Sequence, residues 1–187
     1  MSTIKELLAK IQQASDPLRG DRGMLAALRR GLSEVTEHYA WPYLAPYCPM
    51  SDPKQRTIWL MIAAAAATLA PDRLARAGRG VGNLGVTLRK LALGSTGEKG
   101  DKALASFEAR FRRLLTCQTT EEICRHLSGV IRAAAAKGVP VDVEQLFWDL
   151  QKWERTAEPT TKVRWAQTYW SGDVDTDAAG ADEEAQS

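Results

Sequence analysis

At 187 residues with an apolar fraction of 44%, the chain is long enough for one well-cored domain and has an ordinary globular composition. Its longest apolar run, residues 58–70, is shorter than the roughly twenty residues a membrane span needs, and its first residues lack the basic-then-apolar layout of a secretory signal. The 25 basic and 23 acidic residues hide an asymmetry: residues 171–187 hold Asp173, Asp175, Asp177, Asp182, Glu183 and Glu184 and no Lys or Arg, so 17 acids against 25 bases leave residues 1–170 at +8.

A body of that charge attracts polyanions, although charge alone does not say which. The cysteines, Cys48, Cys117 and Cys124, are odd in number and unpatterned. That suits a reducing cytosol and predicts neither a disulfide framework nor a zinc site.

Taken in chain order, Ser2 or Thr3 caps a first helix whose Ile4, Leu7, Leu8 and Ile11 form one stripe, and Asp16-Pro17 and Gly20 break it. A second helix begins near Asp21 with Met24, Leu25 and Leu28 inward. Arg22 and Arg29, seven apart, share its outer face; Arg30 lies beside them and Gly31 ends it. Residues 38–53 are rich in aromatics and proline, which predicts a packed irregular segment whose rings either anchor a loop to the core or stack bases. Asp52-Pro53 is a strong helix start, and Pro71 stops the helix after residue 70. The alanines at residues 63–67 let another helix pack close. Lys54 and Arg56 sit in the first turn, where cations oppose the helix dipole.

Gly80, Gly82 and Gly85 match G-x-G-x-x-G, but no strand precedes them, so a dinucleotide site is rejected in favour of a flexible turn. Residues 94–100 read as an exposed loop. Between them a short helix carries Leu84, Leu88, Leu91 and Ala92 together with Arg89 and Lys90.

Two helices joined by a short turn follow. In residues 101–115, Leu104, Phe107, Phe111 and Leu114 share a face, with Arg110 and Arg113 on the other side and Arg112 at a flank. In residues 119–136, Thr119 and Glu122 have the spacing of a capping box. Ile123, Leu127, Val130, Ile131 and Ala134 form the inner stripe, and Arg125 and Arg132 share the outer face across Ser128 and Gly129. Basic heads above small residues would let a bulky anion approach the backbone, although charge on an outer helix face is also the default of a solvated surface. Gly138 and Pro140 close that helix, and Asp142 caps the next, with Leu146, Phe147, Leu150 and Trp153 inward. A last helix from Thr160 or Thr161 includes Val163, Ala166, Tyr169 and Trp170. Four of the six tryptophans fall between residues 148 and 170, which predicts the core of a C-terminal helical hairpin. The composition of residues 171–187 predicts disorder.

Pro140 interrupts the alternation of Val139, Val141 and Val143, so no strand pattern survives. The expected fold is all-α: a single-domain bundle of about seven to eight helices over residues 1–170. His38 and His126 are the only histidines, and neither has a metal or triad spacing with acids or cysteines. The expectation is a protein that is not an enzyme and needs no cofactor.

The order of weak motifs resembles a known family. It runs from Ala27-Leu28-Arg29-Arg30 through the aromatic-proline stretch at residues 43–47 and Asn83-Leu84-Gly85 to Phe111-Arg112-Arg113-Leu114-Leu115 and Ile123-Cys124-Arg125-His126-Leu127. It ends with Leu146-Phe147-Trp148-Asp149-Leu150 plus Trp153, and Val163-Arg164-Trp165-Ala166 plus Tyr169. Over residues 23–170 this is similar to the CasB family, the small subunit of the type I-E CRISPR Cascade surveillance complex. The resemblance implies a non-catalytic, cytoplasmic helical subunit present in two copies. Its partners would be guide RNA, target DNA and the other Cascade subunits, among them the backbone filament and the large subunit, with no membrane involved. It would contact nucleic-acid backbone and stabilise the R-loop. The matching basic positions are Arg29, Arg30, Arg112, Arg113 and Arg125; the outer-face reading adds Lys54, Arg56, Arg89, Lys90 and Arg132. The alternative is a helical adaptor between proteins, without direct nucleic-acid contact.

Overall fold

A computed structural model describes residues 3–33, 35–69, 82–94 and 101–171. Ser2, Pro71, the glycine-rich residues 78–81, the loop at 95–100 and the acidic residues 172–187 lie outside them.

Local caps set most helix boundaries. Helix α1, Ile4–Ala14, starts at Thr3 with a complete capping box, and α2, Arg22–Arg30, starts where Asp21 accepts from the Met24 amide. The aromatic-proline segment is more regular than its composition predicts: it forms a 3-10 turn, Glu37–Tyr39, and a single-turn helix α3, Trp41–Leu44, with Pro42 in the first turn where no amide donor is missed. Helix α4, Pro53–Thr68, is capped by Asp52. Next come α5, Leu84–Leu93, and α6, Asp101–Thr116. Helix α7, Thr120–Lys137, carries the expected Thr119–Glu122 capping box and ends at Gly138, whose φ of 70° is the left-handed cap that glycine adopts at little cost. Helix α8, Val143–Gln151, is capped by Asp142, and α9, Thr161–Ser171, closes the described chain. The all-helical bundle is as expected: among the described residues there are nine α-helices, one of them only a turn, and no strand.

Helix α4 is the axis. Every residue from Ile58 to Ala67 is buried, the pattern of a helix that is apolar all round. Its alanines admit α1, α2, α7 and α8 around it. A second group, α5, α6 and α9, shares the same continuous core through Leu88, Leu91, Phe111, Leu114 and Tyr169. Phe111 stacks on Tyr169 with centroids 4.1 Å apart, and the Tyr169 hydroxyl donates to the Leu104 carbonyl at 3.0 Å.

Three sequence expectations need revision. Gly85 is no flexible turn: it lies buried in the first turn of α5, and a β-carbon there would overlap Thr168 Oγ1 and the Trp165 carbonyl of α9. Glycine is required because two backbones touch. Of the four C-terminal tryptophans, Trp153 and Trp165 are core, whereas Trp148 and Trp170 are 46% and 42% exposed. Helical spacing located the hairpin but could not say which side its neighbours cover. Finally, α4 stops at Thr68 and Leu69 is already extended, so the helix ends before Pro71.

At the centre of the hairpin Asp149 is fully buried. It accepts from Trp165 Nε1 at 2.6 Å, Arg164 Nη2 at 3.0 Å and Gln145 Nε2 at 2.9 Å. A buried carboxylate is tolerable only when its oxygens are matched in this way.

Candidate nucleic-acid interface

Helix α7 presents an exposed ridge between two crevices. Arg125, Gly129 and Arg132 stand on its outer face at steps of four and three. Nothing lies within 4 Å of where a β-carbon on Gly129 would sit, so bare backbone is open midway between the two arginines. Glycine in the interior of a helix costs about 1 kcal/mol against alanine, and no intramolecular packing accounts for it here.

On one side α7 and α6 diverge over Leu88 of α5. The crevice between them, about 300 Å³, has apolar walls of Phe107, Leu114, Val130 and Ala133. Arg110, Arg113 and His126 line its mouth. The Arg110 guanidinium lies over the Phe107 ring at 5.7 Å, which holds it at the rim. On the other side a crevice of about 430 Å³ runs between α7, α4 and the end of α2, with Leu60 and Met61 in its floor. Arg56 and Arg125 both line it, together with Glu37, Glu121 and Ser128. Arg56 Nη1 donates to the Met50 carbonyl at 2.8 Å, while its Nε lies 3.8 Å from Glu37. Cys124 also lines this crevice, but burial pushes its thiol up to about 12, so it is no nucleophile at neutral pH.

The ten basic positions singled out from the sequence therefore separate by what holds them. Arg56, Arg113, Arg125 and Arg132 gather around α7. Arg125 pairs with Glu121 one turn earlier, and Arg112 with Glu108 at 2.5 Å while lying over the Trp170 ring. Both arginines are largely exposed, so each pair contributes little to stability. Lys90 is exposed on α5. Arg30 is exposed at the end of α2, its guanidinium over the Tyr39 ring at 5.6 Å.

The other three hold helices together. Arg29 Nε donates to the Ala67 carbonyl at 2.7 Å, tying α2 to the end of α4. Arg89 Nη1 donates to the carbonyls of Tyr169 at 2.7 Å and Trp170 at 3.2 Å, serving as the C-terminal cap of α9. Lys54 Nζ lies 2.7 Å from Glu154 Oε2, and Glu154 Oε1 accepts from the amide and hydroxyl of Thr120, both at 2.8 Å. The Lys54 bond first, then those from Thr120, pull the Glu154 carboxyl down to about 2 from the ordinary 4.5. Its stabilisation is thus complete above pH 4.5 and lost as pH falls towards 2. Glu154→Gln is expected to flatten that acid limb of the thermal-stability profile; an unchanged limb would show that the network carries no stability.

Two groups beside the ridge are not in the sequence-derived set: Arg110, which shares a side of its helix with Arg113, and His126, which has no metal or triad spacing. The usable signal was their spacing, Arg110 three before Arg113 and His126 three before Gly129, which places both towards the junction of α6 and α7. Among the described residues no group of three His, Cys, Asp or Glu could hold a metal ion, and no helix is long and apolar enough to cross a membrane.

A family model described as CRISPR-associated protein Cse2 matches residues 24–170, well over half of the chain. No curated protein and no solved structure matches it.

Proposed function

Because the chain belongs to the Cse2 family of CRISPR-associated proteins, we propose that it is a non-catalytic small subunit that holds guide RNA and target DNA by their backbones in a type I-E Cascade complex. Membership of that complex follows from the family. The finer reading rests on one observation: an exposed helix with bare backbone at Gly129 carries Arg125 and Arg132, and Arg56, Arg110, Arg113 and His126 flank it from two crevices. Guanidinium groups on a convex ridge suit phosphates at successive positions along a strand. Such contacts position nucleic acid without reading its sequence. In RNA-guided recognition base pairing reads the sequence, and strand exchange is nearly balanced in energy, so a few backbone contacts suffice to favour the R-loop. The working partners are guide RNA, target DNA, the backbone filament and large subunit of the complex, and a second copy of this chain.

Each phosphate contact releases condensed counterions, so binding should weaken steeply and uniformly across sequences as salt rises. For four to six contacts the slope of log affinity against log salt is expected to be about −3 to −5 on single- or double-stranded targets. A slope near zero in a titration of the assembled complex, or a marked preference for one target sequence at constant guide pairing, would sink the proposal.

A second reading, a helical adaptor without nucleic-acid contact, is favoured by another crevice of about 440 Å³. Trp59, Phe147 and the exposed Trp148 form its walls, with Lys152 and Arg155 at its edge. Nuclease treatment before affinity capture separates the two: an adaptor keeps its protein partners, whereas a backbone-binding subunit releases those held through nucleic acid.

A further inference from the structure

The segment between α2 and α4 carries aromatic rings that the core does not use. Its anchoring is done by Ala40, Leu44 and Cys48, all buried, with Tyr43 and Tyr47 packed partly against the core. Tyr39 and Trp41 remain 49% and 40% exposed. They are not loose. The His38 and Tyr39 rings lie 4.2 Å apart and 34° from parallel, and Trp41 meets His38 edge-on at 6.5 Å. The Arg30 guanidinium lies over Tyr39 at 5.6 Å. The turn beneath is held by Thr36 Oγ1 donating to the Arg30 carbonyl at 2.7 Å and by the Tyr39 amide donating to the Thr36 carbonyl at 3.2 Å. Ala40 packs onto Gly31, where a β-carbon would come within 3.2 Å of the Ala40 side chain. The result is a fixed, half-exposed cluster of three rings and one guanidinium. It continues directly from Glu37, which lines the crevice between Arg56 and Arg125.

We propose that Tyr39 and Trp41, supported by His38 and Arg30, form a stacking platform for unpaired bases of a single strand whose phosphates lie along the adjoining Arg56–Arg125 crevice. This rests on the nucleic-acid reading above and adds a strand selectivity to it. Every base offers a π-face whatever its identity, so planar groups beside arginines retain a strand without reading its sequence. A duplex keeps its bases stacked on each other and offers the platform nothing but its ends. Arg56 and Arg125, each paired with a glutamate of the same crevice, can turn to phosphates of either form; the platform adds affinity only for the unpaired one. The half-exposed rings, rather than charge, favour this occupant over an acidic protein surface.

The test uses the full chain with a fluorescein-labelled mixed-sequence 20-nucleotide DNA and the matching 20-base-pair duplex, compared by anisotropy at low salt. Tyr39→Ala with Trp41→Ala is expected to weaken single-strand binding about thirtyfold and to leave duplex binding within about twofold. Tyr39→Phe with Trp41→Phe, which keeps rings in place, should restore most of the loss. Helical circular dichroism controls for folding, and both side chains are exposed enough for the variants to fold. Equal losses on both probes, or an unchanged single-strand affinity while the parent still binds both, overturns the platform and leaves the backbone-binding reading standing. If the alanine pair binds both probes like the parent but no longer co-purifies with the other subunits, the cluster is a protein interface. Failure of the parent chain to bind either probe overturns the platform together with the reading beneath it.

Discussion

Replacing Asp149 by asparagine is expected to lower the midpoint of thermal unfolding by on the order of 10 °C. Asp149 is fully buried and matches three donors from two helices. The amide keeps the shape but removes the charge that Arg164 answers, and it turns one acceptor into a donor facing Trp165 or Arg164. Breaking a buried pair on one side costs about 3–5 kcal/mol, and the lower end applies because the Arg164 side chain retains some contact with water. In a chain of this size about 3 kcal/mol corresponds to roughly 6–12 °C. Arg164 Nε is itself buried without a partner, and besides Asp149 its Nη2 reaches, among the described residues, only Thr161 Oγ1, at 3.5 Å, so little compensates for the loss. The measurement is circular dichroism against temperature. A midpoint within about 2 °C of the parent would show that the network is replaceable and that aromatic packing of Trp153 on Trp165, 5.0 Å apart, holds the hairpin by itself.

The second large effect concerns binding. Arg113→Gln, Arg125→Gln and Arg132→Gln together should weaken target binding of the assembled complex about a hundredfold, with the folded state untouched. The estimate takes about 1 kcal/mol for each exposed charge-assisted contact, below the range for shielded ones, and tenfold in affinity per 1.4 kcal/mol. The salt slope should fall by about 2–3, close to one per lost phosphate contact. Arg29→Gln and Arg89→Gln provide the contrast. Their guanidinium groups meet the carbonyls of Ala67, Tyr169 and Trp170. Losing them should lower the unfolding midpoint while affinity per folded molecule and salt slope stay within about twofold of the parent. If the second pair abolished binding and the first triple left it intact, the ridge on α7 would be the wrong surface.

That contrast marks the limit of what the chain states in one dimension. Helix starts at Thr3, Asp21, Asp52, Thr119 and Asp142 were legible because a cap bonds an amide three residues along, within reach of local spacing. The glycine stop at Gly138 is legible for the same reason. The burial of α4 was legible because a helix without polar residues over residues 58–67 has no side to give to water. The seven-residue step from Arg125 to Arg132 likewise placed both on the face that forms the ridge.

What spacing could not supply is who stands opposite. Arg29 and Arg132 look alike in sequence, each on an outer helical face, yet Arg29 is bonded to a carbonyl 38 residues away. Lys54 meets an acid 100 residues away and Arg89 a helix end 80 residues away. Asp149 reads as a polar residue on an amphipathic helix until Trp165 is seen to donate to it, and Trp148 reads as core until it is seen to lie half-exposed. The sequence by itself determined that the chain is helical, where most helices begin, that residues 58–67 suit a buried helix and that residues 1–170 carry excess positive charge. Only the tertiary structure decided which cations face solvent and which are consumed in joining helices, because a hydrogen bond between distant segments depends on where the whole bundle places them and leaves no periodic trace in either.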